Sequence, residues 1–166
     1  FLLVALLSLL PTALGEPLQA PPDVWSVYHD WSSLTEVLAD LCRTYPGLCA
    51  NYTAGFSVEG RALWVLNITN PSAPGPKYQV FFEGAIHGDE VVASECCLYF
   101  AKRLLENFTR GDPVAQAILN ATEVHVLCMV NPDGVERAKT ATDYAEARKN
   151  AHGVDLNRNF DWYWGM

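Results

Sequence analysis

A histidine and a glutamate three residues apart, His87 and Glu90, have the side chains and the spacing to bind one metal ion. The run before them, residues 77–83, is rich in aromatic and β-branched residues and predicts a buried β-strand. The residues after them are apolar at helical spacing, so the pair is predicted to lie at a strand-to-helix turn. Catalytic zinc sites have three protein ligands, so the pair predicts only part of such a site. The alternative is that both are ordinary surface residues.

A second segment, residues 153–160, contains an aspartate, an amide and a guanidinium within four positions, namely Asp155, Asn157 and Arg158. A guanidinium beside an amide donor offers planar, charge-assisted hydrogen bonds to a carboxylate. This pair could therefore bind the free carboxyl terminus of a peptide. The alternative interpretation is that Asn157 and Arg158 form a solvated turn and that Asp155 is a turn or helix-cap residue.

Four features together resemble, in order and spacing, the M14 family of zinc metallocarboxypeptidases: His87-Gly-Asp-Glu90, Asn131-Pro-Asp-Gly134, Arg148 and the segment 153–160. The resemblance covers about residues 24–166 and looks like the first half of the family's catalytic domain. It implies that His87 and Glu90 are two of the three ligands of one Zn²⁺ ion. The third ligand, a histidine, is then expected beyond Met166, together with a tyrosine and a general-base glutamate.

The same resemblance implies roles for four further residues. Arg148 would polarise the scissile carbonyl and stabilise its oxyanion, while Asn157 and Arg158 would bind the terminal carboxylate of the substrate. Asp155 would hydrogen-bond the histidine ligand and so fix its tautomer and orientation.

Three other histidines are weaker candidates for metal ligands. His125 lies in residues 123–130, which are apolar on both faces and predict a central strand, so we expect a hydrogen-bonded core histidine there. His29 precedes the first predicted helix and is expected to be exposed. His152 matches no functional position of the family.

The first residues predict a route into the secretory pathway. Residues 1–15 are interpreted as a partial signal peptide, because the apolar stretch is shorter than the ~20 residues of a membrane span and ends in small residues. A buried core helix is the alternative. Residues 16–23 form a Pro-rich entry segment, and residues 24–166 form the predicted half domain. Because the first residue is Phe1 and not Met, we expect a fragment of a longer reading frame. Because it carries only two of the three zinc ligands, we expect the fragment to be inactive alone.

Four Asn-x-Thr sequons predict a secreted glycoprotein, with acceptors at Asn51, Asn67, Asn107 and Asn120. Asn67 lies in an apolar run and would have to face solvent from an edge or a strand end. The five cysteines fit an oxidising compartment, and Cys42 and Cys49 could close a small loop.

Composition excludes one large class of partner. The net charge is −8 and the pI is near 4.8, whereas nucleic-acid binding depends on basic contacts to phosphates. No membrane span is predicted within the chain.

The element pattern predicts an α/β fold with a mixed central β-sheet flanked by helices, zinc-carboxypeptidase-like and apparently truncated. A capping box at residues 33–36 would begin a helix that ends before Pro46. The remaining predictions are a hairpin (51–58 and 61–69), a strand (77–83), helices (91–107 and 113–119) and a strand (123–130). The aromatic tail, 160–165, is predicted to pack against the sheet edge, with substrate stacking as the alternative.

The leading functional hypothesis is a secreted zinc metallocarboxypeptidase that hydrolyses the C-terminal peptide bond of peptides or proteins with a zinc-activated water. One alternative is an inactive carboxypeptidase-like binding module, and another is a zinc deacylase of the aspartoacylase type. The Asn131-Pro-Asp-Gly134 segment, which is predicted to form a turn, and the string at residues 155–160 favour the peptidase. The choice between the N/E and A/B branches of the family stays open, because Asp161 follows Phe160 where many N/E members have proline.

Overall fold

A computed structural model describes residues 27–162, so the predicted signal peptide and the Pro-rich segment lie outside the described residues. The helices are α1 (Trp31–Thr44), α2 (Val91–Thr109), α3 (Pro113–Ala121), α4 (Pro132–Ala138) and α5 (Tyr144–Arg148). The strands are β1 (Cys49–Phe56), β2 (Ala62–Ile68), β3 (Tyr78–Glu83) and β4 (Thr122–Leu127), and a 3-10 turn covers Leu156–Arg158. No helix in this part of the chain is both long enough and apolar enough to cross a membrane.

The four strands form one mixed sheet in the order β1-β2-β4-β3. β1 and β2 form the predicted antiparallel hairpin, β2 also pairs antiparallel with β4, and β3 runs parallel to β4. The prediction of a mixed α/β fold is confirmed.

The helices α1, α2 and α3 share one hydrophobic core with one face of the sheet. Leu38 of α1 and Leu98 and Leu105 of α2 contact a cluster that includes Leu66 of β2 and Val126 of β4, and all five are almost completely buried. Each such side chain contributes about 1.5–3 kcal/mol by leaving water. The helical spacing of the α2 residues explains why the helix could be predicted from the sequence.

β3 is a strand as predicted, but the prediction that it is buried is wrong for the described residues. It lies at one edge of the sheet, and its side chains are exposed, with Tyr78 at 79% and Phe81 at 51%. Apolar composition predicted burial, whereas burial depends on which strand or helix lies next to this edge.

The first helix begins earlier than the sequence pattern suggested. Asp30 is the N-cap, and its Oδ1 accepts a hydrogen bond from the Ser33 backbone N–H at 2.8 Å, while the Ser33 hydroxyl accepts one from the Asp30 N–H at 3.0 Å. A capping box is therefore present, but Ser33 is its third helical residue and not its cap.

The structure shows the surroundings of two of the other histidines, His29 and His125. His29 was expected to be exposed, but it is buried. Its Nδ1 lies 2.9 Å from one oxygen of the Glu95 carboxylate, and its backbone N–H donates to the other at 2.7 Å. His125 lies on the interior strand β4, as predicted, and its Nδ1 is 3.2 Å from the Tyr52 hydroxyl.

Candidate active site

The turn between β3 and α2 carries His87 and Glu90, as predicted. Backbone hydrogen bonds join its first residues to the end of β4: Gly84 N–H donates to the Leu127 carbonyl at 3.0 Å, and Asn131 N–H donates to the Ala85 carbonyl at 3.0 Å. This pairing extends the parallel contact of β3 and β4 beyond the strands. The turn is therefore fixed to the sheet.

The turn packs backbone to backbone against two other segments. A Cβ atom added to Gly88 would lie 2.1 Å from the Gly134 carbonyl carbon and 2.4 Å from the Ala147 carbonyl oxygen. A Cβ atom added to Gly134 would likewise lie 2.5 Å from the Ala147 carbonyl oxygen. Only glycine lets the His87–Glu90 turn, α4 and α5 approach one another this closely.

Ala85, two residues before His87, has the unusual φ of +51° and is buried. A left-handed conformation brings the Cβ of a non-glycine residue close to its own backbone, at a cost of about 1–2 kcal/mol. The turn that positions His87 thus holds local strain.

Both ring nitrogens of the buried His87 contact carboxylates. Nδ1 lies 3.0 Å from Oε1 of Glu90, and Nε2 lies 3.0 Å from Oδ1 of Asp155. The other oxygen of Asp155 accepts a hydrogen bond from Arg148 Nε at 2.9 Å. The structure therefore brings four of the predicted site residues into one connected group.

The charge on Asp155 determines the tautomer of His87. Burial would raise the pKa of Asp155, but hydrogen bonds from Arg148 and His87 outweigh it and hold that pKa below its usual range. Because an ionised carboxylate can only accept, Nε2 of His87 must donate, and in a neutral ring Nδ1 then carries the lone pair. In that tautomer the lone pair faces the Glu90 carboxylate, and a cation bound between the two acceptors would satisfy both.

The two acceptors fit zinc as two members of its ligand set. Nitrogen and oxygen ligands lie about 2.0–2.2 Å from zinc, so donor atoms 3.0 Å apart can bind one ion. Glu90 makes no side-chain cap for α2 and is half-exposed, which leaves its carboxylate available. Among residues 27–162 no group of three histidine, cysteine, aspartate or glutamate side chains is arranged to hold a metal ion.

Asn131 was predicted as part of a turn, but it is the N-cap of α4, whose first residue is Pro132. Its Oδ1 accepts a hydrogen bond from Gly134 N–H at 3.0 Å, and its Nδ2 donates to the carbonyl of Arg148 at 3.3 Å. The buried Asn131 therefore links α4 to the backbone of Arg148. An asparagine before a proline is also typical of a helix start, which is the signal that could have predicted α4.

A second buried acid, Asp133, was not predicted to have a role of its own. Its Oδ1 accepts hydrogen bonds from Arg61 Nη1 at 2.6 Å and from the Ser57 hydroxyl at 2.7 Å, and its Oδ2 accepts one from the Glu59 N–H at 3.1 Å. Burial acts to raise the pKa of Asp133, but these hydrogen bonds lower it below the usual range. Asp133 joins the β1–β2 turn to α4, and sequence spacing gives no signal for such a distant contact.

Asn157 and Arg158 lie on the 3-10 turn that follows Asp155, and both are exposed. Asp155 Oδ1 caps this turn by accepting a hydrogen bond from the Asn157 N–H at 3.1 Å, while Arg158 Nη1 donates to the Asn157 carbonyl at 2.8 Å. Asp155 is thus both the turn cap of the alternative interpretation and a partner of His87.

The four sequon asparagines differ in exposure. Asn51 and Asn120 are exposed and Asn107 is half-buried. Asn67 lies on the interior strand β2, and its Oδ1 is buried without a hydrogen-bond partner in the described part of the chain.

Comparisons with known proteins identify the family. A family model described as zinc carboxypeptidase matches residues 34–166. Carboxypeptidase D of Homo sapiens has 38% sequence identity to this chain. The alignment covers 80% of this chain and 12% of that relative. Carboxypeptidase E of Caenorhabditis elegans has 35% sequence identity, in an alignment that covers 82% of this chain and 30% of that relative. The chain thus spans less than a third of the length of these two relatives.

The fold comparison points the same way. The crystal structure of carboxypeptidase A from Helicoverpa armigera superposes with a TM-score of 0.72 and 27% identity, covering 86% of this chain and 36% of that one. Since the family model matches most of the chain and the relatives exceed 30% identity over about four fifths of it, this chain belongs to the zinc carboxypeptidase family, M14.

Proposed function

We propose that the complete protein is a secreted zinc carboxypeptidase that hydrolyses the C-terminal peptide bond of peptides or proteins. The observation that carries the proposal is the pair of facing acceptors, His87 Nδ1 and Glu90 Oε1, 3.0 Å apart on a turn fixed to the sheet. Family membership supports the same reaction.

His87 and Glu90 would hold the zinc ion, and we propose that the third ligand lies beyond Met166. The bound ion would supply an activated water and a polarised scissile carbonyl. Asp155 would orient the imidazole by accepting a hydrogen bond from Nε2, which turns Nδ1 toward the ion, as partners of metal-bound histidines do.

Arg148 is proposed to stabilise the oxyanion of the transition state. Its Nε is engaged by Asp155, which fixes the guanidinium and leaves the Nη groups available to donate to a developing negative charge. Arg148→Ala should then lower kcat by about 10²-fold or more with a smaller effect on KM. Arg43→Ala, on the exposed end of α1, is the matched control; an unchanged kcat for Arg148→Ala would contradict this role.

Asn157 and Arg158 are proposed to bind the terminal carboxylate of the substrate. Both follow Asp155 directly and are exposed, so the amide and the guanidinium are accessible to a ligand close to the His87 partner. Arg158→Ala should lower kcat/KM for free-acid peptides. The corresponding activation free energy should rise by about 2–5 kcal/mol, as it does when one member of a buried charge pair is lost. Arg110→Ala, at the end of α2, serves as the control.

Secretion is supported by the apolar segment at residues 1–15 and by the sequons, of which Asn51 and Asn120 are the most accessible. We expect glycans on these two and none on Asn67, because a modified amide there would disturb an interior strand. Peptide mapping before and after enzymatic deglycosylation measures the occupancy, and a fully occupied Asn67 would contradict the expectation.

The decisive experiment compares matched peptides that differ only in having a free or an amidated C-terminus. Mass spectrometry should detect loss of one C-terminal residue from the free acid, inhibition by a zinc chelator and little cleavage of the amide. Equal cleavage of both forms would overturn the exopeptidase assignment. Hydrolysis of small N-acyl amino acids instead would favour the deacylase, and tight peptide binding without turnover would favour the inactive binding module.

A further inference from the structure

Two cysteine sulfurs lie close together far from the predicted catalytic residues. The Sγ atoms of Cys42, in the last turn of α1, and Cys49, the first residue of β1, are 3.3 Å apart. A disulfide bond has a sulfur–sulfur distance of about 2.05 Å, so a small side-chain rotation would bring the two sulfurs to bonding distance.

The backbone between the two cysteines fixes this arrangement. Tyr45 N–H donates to the Leu41 carbonyl at 2.9 Å, and the Tyr45 carbonyl accepts hydrogen bonds from Leu48 N–H and Cys49 N–H at 3.1 Å each. Gly47 adopts the positive φ of +82° that this tight turn requires. The proximity of the two thiols is therefore a property of the chain path.

Burial makes the reduced pair a poor reactive centre. Cys49 lies in the hydrophobic core and Cys42 packs against it, and burial raises the pKa of both thiols. Because the thiolate is the nucleophile, such thiols exchange slowly once the protein has folded. This chemistry fits a permanent cross-link made during folding better than a redox-active pair.

We propose that Cys42 and Cys49 form a disulfide bond in the mature protein. The bond ties the end of α1 to the start of β1, across cysteines only seven positions apart, and it takes no part in peptide hydrolysis. The inference stands whether or not the proposed activity is correct.

The oxidant is a second disulfide, either glutathione disulfide or an oxidised dithiol oxidoreductase. One cysteine, as the thiolate, attacks a sulfur of that disulfide, forming a mixed disulfide and expelling one thiolate. The other cysteine thiolate then attacks the first, which forms the Cys42–Cys49 bond and expels the second thiolate. Two cysteine thiols lose two electrons and two protons, and the oxidant becomes two thiols.

The sequence allows a direct test, because trypsin cleaves after Arg43, between the two cysteines. The complete protein is refolded in the presence of glutathione and glutathione disulfide, then denatured, alkylated without reduction, deglycosylated and digested. We expect the peptide that ends at Arg43 to remain joined to the peptide of residues 44–61, and the two to separate on reduction. Alkylation of both cysteines, or a bond from either of them to another cysteine, would overturn the proposal.

A stability measurement provides an independent check. Cys42→Ser and Cys49→Ser should each lower the Tm by about 5 °C or more, and the double variant should be no less stable than the worse single variant. Cys96→Ser, at an exposed position on α2, is the matched control and should leave the Tm unchanged. Additive losses of Tm in the double variant would contradict a bond between the two residues. If a variant does not fold, the peptide map of the unmodified protein shows whether the disulfide is present.

Discussion

His87 and Asp155 are 68 positions apart in the chain, yet Nε2 of the first lies 3.0 Å from Oδ1 of the second. The same carboxylate caps the turn that carries Asn157 and Arg158, and it accepts a hydrogen bond from Arg148. One side chain thus connects the proposed metal ligand, the proposed oxyanion donor and the proposed carboxylate-binding turn. A change at Asp155 should affect all three.

Asp155→Asn should weaken zinc binding by about 10–100-fold, because the amide keeps the shape but loses the charge that fixes the His87 tautomer. Competition against a chelator of known affinity measures the change. Asp161→Asn, an exposed acid in the same segment, is the control and should bind zinc as the unmodified protein does. Equal zinc affinities for all three proteins would show that Asp155 does not support the metal site.

Gly88→Ala should destabilise the protein by about 3 kcal/mol or more, since its methyl group would overlap the backbones of α4 and α5. Gly111→Ala is the control. The added methyl group there meets open space, so only the strain of a positive φ remains, about 1–2 kcal/mol. Urea unfolding compares the two variants, and a loss at Gly88 no larger than that at Gly111 would refute the close approach.

Ala85→Gly should raise the free energy of unfolding by up to about 1 kcal/mol, because glycine adopts the φ of +51° without strain. The same substitution at Ala101, buried within α2, should lower it by about 1 kcal/mol or more. Opposite signs for one chemical change, measured by thermal or urea unfolding, would identify the strained turn. A loss at Ala85 as large as that at Ala101 would show that the turn holds no strain to relieve.

Arg61→Ala should cost about 3–5 kcal/mol at neutral pH, because it leaves the buried Asp133 carboxylate without its cation. Arg43→Ala, which breaks an exposed pair with Asp40, should cost less than about 1 kcal/mol. If both variants lost the same stability, the cause would be the removal of a positive charge. A larger loss for Arg61→Ala would come from the burial of Asp133.

The Arg61 effect should also depend on pH. The pKa of Asp133 is lower in the folded protein than its unfolded value of about 3.9, so the stabilisation is complete above that value and is lost as the pH falls through the folded pKa. The stability difference between the unmodified protein and Arg61→Ala should therefore shrink when unfolding is measured below pH 4. A difference that grows with acidification would have the wrong sign for this pair.

Local patterns predicted most of the elements and the position of the turn that carries His87 and Glu90. The periodicity of α2 and the aromatic residues of β3 lie within a few residues of His87 and Glu90, so their placement at a strand-to-helix turn could be predicted and is confirmed. The membership of the zinc carboxypeptidase family, inferred from motif order, is also confirmed.

The failures have a common physical cause, which is dependence on distant parts of the chain. The exposure of β3 depends on what lies beside a sheet edge, and the burial of His29 depends on Glu95, 66 positions away. Asp133 depends on Arg61, 72 positions away. The helix α4 is different, since its asparagine cap and first-turn proline were visible and could equally mark a turn.

The zinc content of the complete protein and of two glutamate variants tests the central claim most directly. After dialysis against a weak chelator, elemental analysis should find one zinc ion fewer per molecule in Glu90→Gln than in the unmodified protein, because an amide replaces a charged ligand. Glu36→Gln, exposed on α1, should retain the full content. A Glu90→Gln protein that keeps every zinc ion at unchanged affinity would show that the His87–Glu90 turn is not the metal site.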